Sequence, residues 1–290
     1  YAIEAGVPPG VINILCGKTQ EIGATLTNSA VVRKLSFTGS TAVGKMLSAA
    51  CTTTMKRTSM ELGGNAPFLI FADADLESAL DGVMASKFRN SGQTCVCANR
   101  LLVQTGVFTE FTVKLKQAVL NLKVGDGFEE GVAVGPLIHS QAASKVCGII
   151  DDAKERGAKV VHGGGMSPLG GSFVAPTILT EVTRDMRLFS EEIFGPVLCA
   201  QPFSDQDLDK IADAANNTTF GLAASVWSQN ISTAHKLAAK IRAGTVWINC
   251  HNIFDASLPF GGYKESGWGR EMGHEVLKNY TELKAVTVNL

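Results

Sequence analysis

Short apolar, β-branched runs alternate along the chain with longer stretches whose apolar positions recur at helical spacing. Such runs, bounded by glycine, proline and polar turns, predict strands at Val11–Leu15, Arg33–Thr38, Lys56–Glu61, Ala66–Phe71, Arg100–Gln104, Val197–Pro202, Ala223–Ser228 and Thr245–Asn249. The helical spacing predicts helices at Lys18–Asn28, Thr41–Ala50, Asp75–Asn90, Val107–Leu122, Ser140–Arg156, Asp205–Asn216 and Ser232–Ala243, with Asp73 or Asp75 as the N-cap of the third. Strands alternating with helices of this length predict an α/β fold built on mostly parallel sheets. A seam is expected just after Glu61, with a second α/β unit running to about Ser266. The last segment, Tyr280–Leu290 with Val286-Thr287-Val288, reads as a further strand. Tyr1-Ala2-Ile3-Glu4-Ala5-Gly6 reads as the last turn of a helix capped by Gly6, so the chain is expected to begin inside a structure.

Composition narrows the function classes. The 290 residues carry 26 Lys and Arg against 27 Asp and Glu, a formal charge of −1, so neither nucleic acid nor an anionic membrane is expected as a partner. No apolar run approaches the ~18 residues of a spanning helix. The 7 cysteines are scattered and odd in number, which fits free thiols in a reducing compartment. The 5 histidines show no metal-ligand spacing, and no metal is expected.

Two motifs carry the chemistry. Glu61-Leu62-Gly63-Gly64 offers a carboxylate in a glycine turn, and Gly92-Gln93-Thr94-Cys95 offers a thiol in another. A carboxylate can act as general base and a thiol as nucleophile. A cysteine hydrolase would also use a thiol, but it needs a histidine, and none stands in a motif near Cys95. A non-catalytic structural paralogue is the other rival, opposed by the intact Cys95 and Glu61.

Leu35-Ser36-Phe37-Thr38-Gly39-Ser40-Thr41-Ala42-Val43-Gly44-Lys45 predicts a strand entering a helix through a glycine turn. Its spacing approaches a P-loop, but Met46 stands where a hydroxyl should hold magnesium. A glycine turn opening a helix still presents free N–H groups to a phosphate.

Met60-Glu61-Leu62-Gly63-Gly64-Asn65-Ala66-Pro67 and Asn90-Ser91-Gly92-Gln93-Thr94-Cys95 together resemble the aldehyde dehydrogenase superfamily. Ser190-Glu191-Glu192-Ile193-Phe194-Gly195-Pro196 and Leu258-Pro259-Phe260-Gly261-Gly262-Tyr263-Lys264-Glu265-Ser266-Gly267-Trp268-Gly269-Arg270-Glu271 match it as well. The resemblance implies an aldehyde dehydrogenase-like α/β fold. Residues 1–61 would be the last part of a Rossmann-type cofactor domain, residues 62–266 the catalytic domain, and residues 267–290 a return segment and oligomerisation strand. It implies Cys95 as nucleophile toward an aldehyde and Glu61 as the base that activates water. For NAD or NADP it implies pyrophosphate contacts at Gly39 and Ser40, Leu62 beside the cofactor, Glu192 on the nicotinamide ribose and Phe194 against the nicotinamide. Glu271 would belong to a water or proton path. A homo-oligomer, dimer or tetramer, is implied, with a cytoplasmic location and a mitochondrial one left open. Family members are longer: this chain would span roughly their last three-fifths. The oxyanion-binding asparagine and the lysine on the adenosine ribose would lie outside it, so the isolated chain is expected to be inactive.

The substrate signals conflict. Phe88-Arg89-Asn90 through Val96-Cys97 resembles succinate-semialdehyde dehydrogenases, in which the arginine at Arg89 helps hold the substrate carboxylate and the cysteine at Cys97 forms a reversible disulfide with the catalytic one. Ala243-Gly244-Thr245-Val246-Trp247-Ile248-Asn249-Cys250 resembles broad-specificity or aromatic enzymes. In the loop before Pro259, Phe254 would suit an apolar aldehyde and Asp255 would repel a carboxylate, while Ser257 is displaced from the expected serine position. Succinate semialdehyde and a general aliphatic or aromatic aldehyde both remain open as substrates.

Overall fold

The computed structural model describes residues 1–204 and 206–290. The chain opens with helix α1 (Thr19–Asn28), strand β1 (Lys34–Thr38), α2 (Thr41–Cys51) and β2 (Arg57–Glu61). Next come β3 (Ala66–Ile70), α3 (Leu76–Lys87), β4 (Ala98–Gln104) and α4 (Thr105–Leu120). A short ladder of β5 (Lys123–Val124) and β6 (Val132–Val134) leads into α5 (Ser140–Glu155). Then follow β7 (Lys159–His162), β8 (Thr177–Thr180), α6 (Arg187–Ser190), β9 (Val197–Phe203), α7 (Leu208–Asn216), β10 (Ala223–Trp227), α8 (Ile231–Lys240) and β11 (Thr245–Ile248). The last elements are β12 (Gly267–Trp268) and a single turn, α9 (Leu277–Tyr280).

Seven strands form one sheet in the order β11-β10-β3-β4-β9-β8-β7, parallel except for β7 against β8. All five residues of β3 are buried, because helices cover both faces. Phe68 and Ile70 face a core completed by Val83 of α3 and Phe111 and Leu115 of α4. Leu69 faces the opposite core with Ile211 of α7 and Leu237 of α8. Each such side chain, fully withdrawn from water, contributes about 1.5–3 kcal/mol. A second sheet, β1-β2-β12, pairs β1 with β2 in parallel, and β12 returns antiparallel to β2.

Arg100 of β4 is fully buried without a carboxylate. It donates to Asn65 and to the carbonyls of Ala214 and Ala215, whose helix end they terminate. This satisfies carbonyls that lack an intrahelical partner, while burial lowers the guanidinium pKa to about 10.

Four expectations change. Val11–Leu15 forms no strand; its apolar side chains are exposed and its backbone finds no ladder. The helix expected to reach Asn90 ends at Lys87, since Asn90 and Ser91 adopt left-handed φ values of 50° and 56°. Among the described residues no strand of this chain pairs with 281–290, since an extended segment becomes a strand only against a partner backbone. Strands β5–β8 and β12 and the short helix α6 are additional. Asp75 is the cap of α3, accepting from the N–H groups of Glu77 and Ser78, whereas Asp73 holds Ser228 and Asn230. Asp205, the expected start of the α7 helix, lies outside the described residues. The opening turn does end at Gly6, with φ +85° and a Val7 N–H to Ala2 carbonyl bond of 2.9 Å.

Candidate active site

Glu61 is the last residue of β2, and Leu62-Gly63-Gly64-Asn65 carries the chain from the small sheet to the large one. Every part of this bridge is fastened. The Gly39 N–H donates to the Glu61 carbonyl at 3.1 Å, and the Leu62 N–H donates to the Ser266 carbonyl at 3.0 Å. The buried Ser266 hydroxyl donates to the Gly63 carbonyl at 2.6 Å while accepting from Gly221 N–H at 3.0 Å. Asn65 donates to the carbonyls of Leu188, Phe189 and Glu191. The Gly64 N–H donates to Glu192 Oε1 at 3.0 Å. A Cβ on Gly63 would come within 2.7 Å of Glu192 Oε2, and one on Gly64 would collide with the Cys95 carbonyl oxygen. Gly64 is thus required by close approach to backbone, while at Gly63 only the end of the Glu192 side chain stands in the way.

The nucleophile loop is shaped by three consecutive left-handed residues, Asn90, Ser91 and Gly92. Gly92 packs against the Gly195 carbonyl so closely that no side chain fits. Ser91 donates to the Gly135 carbonyl at 2.9 Å, and Gln93 Oε1 accepts from the Ile138 N–H at 2.9 Å. Behind the loop, His251 is held between Ser86 Oγ at 2.8 Å and Ser225 Oγ at 2.6 Å. Ser86 also accepts the Ala98 N–H at 2.8 Å. Burial lowers the His251 pKa to about 4 although the Val96 backbone favours its protonated form.

These segments enclose a cavity of about 660 Å³. Cys95 and Glu61 lie at its base, Gly39 and Ser40 at the mouth of α2, and Leu62, Glu192 and Phe194 along its walls. Burial pushes the Glu61 carboxyl up to about 7; the Cys95 thiol pulls it down, and the charges of Glu271 and Glu192 add to the rise. The two side chains are close enough to couple, yet Glu61 Oε1 is buried without a hydrogen-bond partner. Burial also raises the Cys95 thiol pKa far above its usual value, and the Glu61 charge raises it further. Burial raises Glu192 as well, against the pull of the Gly64 N–H. A carboxylate touching a thiol can take its proton: transfer moves a single negative charge from oxygen to sulfur, so the two groups are never charged together.

The structure therefore gathers Gly39, Ser40, Glu61, Leu62, Cys95, Glu192 and Phe194 in one cavity. Phe194 takes a left-handed φ of 55° to reach it. Other residues singled out by sequence lie outside it. Arg89 is exposed and makes no hydrogen bond or ion pair among the described residues. Glu271 is exposed, with its backbone bridged to Phe260. Cys97 is buried and reduced, its thiol directed at the Gly92 carbonyl and Asn99. Phe254 packs edge-on against Trp247 and Phe260, ring centroids 5.6 and 5.3 Å away, and those two rings cluster with Val96 and Cys95. Ser257 is committed to Asp255 at 2.6 Å.

Lys145, Ser266 and His139 were not apparent from sequence. Lys145 lines the cavity and donates to the Glu192 carbonyl at 2.9 Å. Its signal is the Gln141–Lys145 spacing, which turns both toward the cavity from one helix face. His139 also lines the cavity, but its Nδ1 caps α5 by accepting from Ala142 N–H, and the group coupled to Cys95 is Glu61. Lys45 of the P-loop-like stretch pairs with Glu265 at 2.9 Å.

The donor set fits a dinucleotide. The α2 N-terminus offers backbone N–H groups for phosphate, and Glu192 offers a carboxylate for a diol beside the side-chain-free Gly63. Among the described residues no cluster of three or more His, Cys, Asp or Glu could hold a metal, and no helix is long and apolar enough to cross a membrane.

Residues 1–286 match the model of the aldehyde dehydrogenase family. The chain is 48% identical over 289 residues to the NADP⁺ succinate-semialdehyde dehydrogenase of Escherichia coli, covering 100% of this chain and 60% of that protein. It is 47% identical over 285 residues to 3-sulfolactaldehyde dehydrogenase of Pseudomonas putida, covering 98% of this chain and 58% of that one. The crystal structure of an E. coli NADP-dependent enzyme superposes with a TM-score of 0.93 at 47% identity, over 98% of this chain and 58% of that one. The chain thus spans about three-fifths of the length of these relatives, and it belongs to the aldehyde dehydrogenase family.

Proposed function

We propose that this chain is the catalytic part of an NAD(P)-dependent aldehyde dehydrogenase that oxidises an aldehyde to a carboxylate through a thioester on Cys95. The observation that carries this reading is the coupled Cys95–Glu61 pair at the base of the cavity. Glu61 takes the Cys95 proton, and the thiolate sulfur attacks the aldehyde carbon. The developing oxyanion lies beside the Cys95 backbone N–H, which faces its own sulfur. Nicotinamide, when bound, supplies the hydride acceptor. Glu192 and Lys145 would orient the ribose, with Phe194 against the ring, Leu62 beside it, and Gly39 and Ser40 at the pyrophosphate. Glu61 releases that proton to solvent and then takes one from water, which opens the thioester; the sulfur leaves and is reprotonated from Glu61 as the carboxylate departs. In this reading residues 1–61 belong to the cofactor domain, 62–266 to the catalytic domain and 267–290 to a return segment. The exposed residues 281–290 would pair with a neighbouring subunit of a dimer or tetramer, in the cytoplasm or a mitochondrion.

For the substrate, an aldehyde bearing an acid group comes first, on the relatives' named substrates. The Trp247–Phe254–Phe260 cluster favours an aromatic aldehyde as the second reading. The test follows NAD and NADP reduction by absorbance in the full-length enzyme, with succinate semialdehyde and phenylacetaldehyde in parallel. Turnover that disappears in Cys95→Ala and falls by about 10²–10⁴ in Glu61→Gln supports the mechanism. Ester hydrolysis without cofactor reduction would overturn it.

A further inference from the structure

Beneath the nucleophile loop lies a buried amine that the proposed mechanism does not use. Lys87, the last residue of α3, is 0% exposed. Its Nζ donates to Asn99 Oδ1 at 2.6 Å and lies 3.5 Å from Cys97 Sγ, in hydrogen-bonding contact. Cys97 is itself 2% exposed, with its thiol 3.4 Å from the Gly92 carbonyl and 3.7 Å from Asn99 Oδ1. Among the described residues no carboxylate hydrogen-bonds to Lys87, although its charge is felt by Glu192. An amide or apolar side chain would fill this position at lower cost than an amine whose hydrogen-bond partners are an amide and a thiol. What the lysine adds is a second nucleophile against the sulfur, shielded from water and from glutathione-sized reductants.

We propose that Lys87 and Cys97 are an oxidative modification site that takes dioxygen and closes an N–O–S bridge. In the step, one N–H bond of the Lys87 amine and the S–H bond of Cys97 break, and N–O and O–S bonds form. One oxygen atom becomes the bridge and the other leaves as water with the two hydrogens. Nitrogen and sulfur each give up two electrons, and dioxygen takes all four. Dioxygen is small and apolar enough to reach a site closed to larger oxidants, and the flexible end of the lysine side chain can close the remaining gap. The bridge fastens the end of α3 to the residue two positions beyond Cys95. It consumes the sulfur that a Cys95–Cys97 disulfide would need, so the two oxidised forms exclude each other.

The site is independent of the dehydrogenase reading, and its test needs no turnover. The chain is held in air-saturated buffer or under argon with dithiothreitol, alkylated after denaturation, digested with trypsin and read by mass spectrometry. The expected product in air is a peptide pair joining Lys87 to Cys97, heavier by one oxygen and lighter by two hydrogens. Cleavage after Lys87 and alkylation of Cys97 are lost with it, and dithiothreitol restores both. The product should persist in Cys95→Ala and vanish in Lys87→Met and Cys97→Ser. Recovery of Cys97 as a free thiol in air, as a disulfide to Cys95, or as a sulfenic acid with Lys87 still cleaved would each overturn the proposal. The wild-type digest decides between these outcomes even if a variant fails to fold.

Discussion

The carbonyl oxygen of Cys95 sits where a side chain on Gly64 would begin. Glycine in the Glu61 motif is thus a steric condition on the Cys95 loop, and the two motifs are one structure. Gly64→Ala should displace the loop and cost about 10²-fold in turnover of the full-length enzyme, as an ångström-scale misplacement does. Gly63→Ala meets only the end of the Glu192 side chain, which can move. It should raise the KM for cofactor more than it slows alkylation of Cys95 by iodoacetamide. Equal effects of the two substitutions on alkylation would contradict this division.

Glu61 stores instability. Its folded pKa of about 7 lies above the ordinary 4.5, so the folded state holds a proton that the unfolded chain releases. Stability therefore falls as pH rises from about 4.5 to 7, by roughly 3 kcal/mol at 1.36 kcal/mol per unit. Glu61→Gln should raise the Tm at pH 8 while slowing hydrolysis of the acyl enzyme by about 10²–10⁴-fold, and the gain should fade toward pH 4.5. A Tm difference that does not vary with pH would count against a strained carboxyl.

His251 acts in the opposite direction. Its folded pKa of about 4 lies below the ordinary 6.5, so the unfolded chain takes up a proton first. Stability is lost as pH falls from about 6.5 toward 4, again by roughly 3 kcal/mol. Chemical denaturation at pH 7 and pH 4.5 should show a smaller difference for His251→Gln than for the wild type. Matching differences would mean that the imidazole is neutralised by other means.

Arg100→Ala should destabilise the chain by about 3–5 kcal/mol, since Asn65 and the α7 carbonyls lose a buried donor together. Urea midpoints would measure it. The same change should disturb Asn65, which anchors the segment before Glu192.

The central strands were legible because burial on both faces writes a continuous apolar run, as in Ala66–Ile70 and Ala223–Trp227. Lys159–His162 is half-exposed and Thr177–Thr180 begins and ends in threonine, so neither run stands out. Gly267–Trp268 is a strand solely because Met60 and Glu61 lie opposite. The overshoot of α3 has a local cause: nothing in Phe88-Arg89-Asn90 forbids helix, and the chain turns left-handed to bring Gly92 under Gly195. In the cavity, Cys95 and Glu61 could be read from their own surroundings. Lys145 and Ser266 could not, because what they touch arrives from distant parts of the chain.

The seam between Ser266 and Gly63 joins residues 203 positions apart. While the chain is being made, the segments bearing Cys95 and Glu61 emerge long before the residues that clamp the Glu61 turn. Contacts of such separation form late. A ribosome-bound chain lacking residues 266–268 would carry the Cys95 thiol without the clamp on the Glu61 turn. Order of synthesis thus sets when the Glu61 turn is fixed, because β12 returns to β2 only after it has been made.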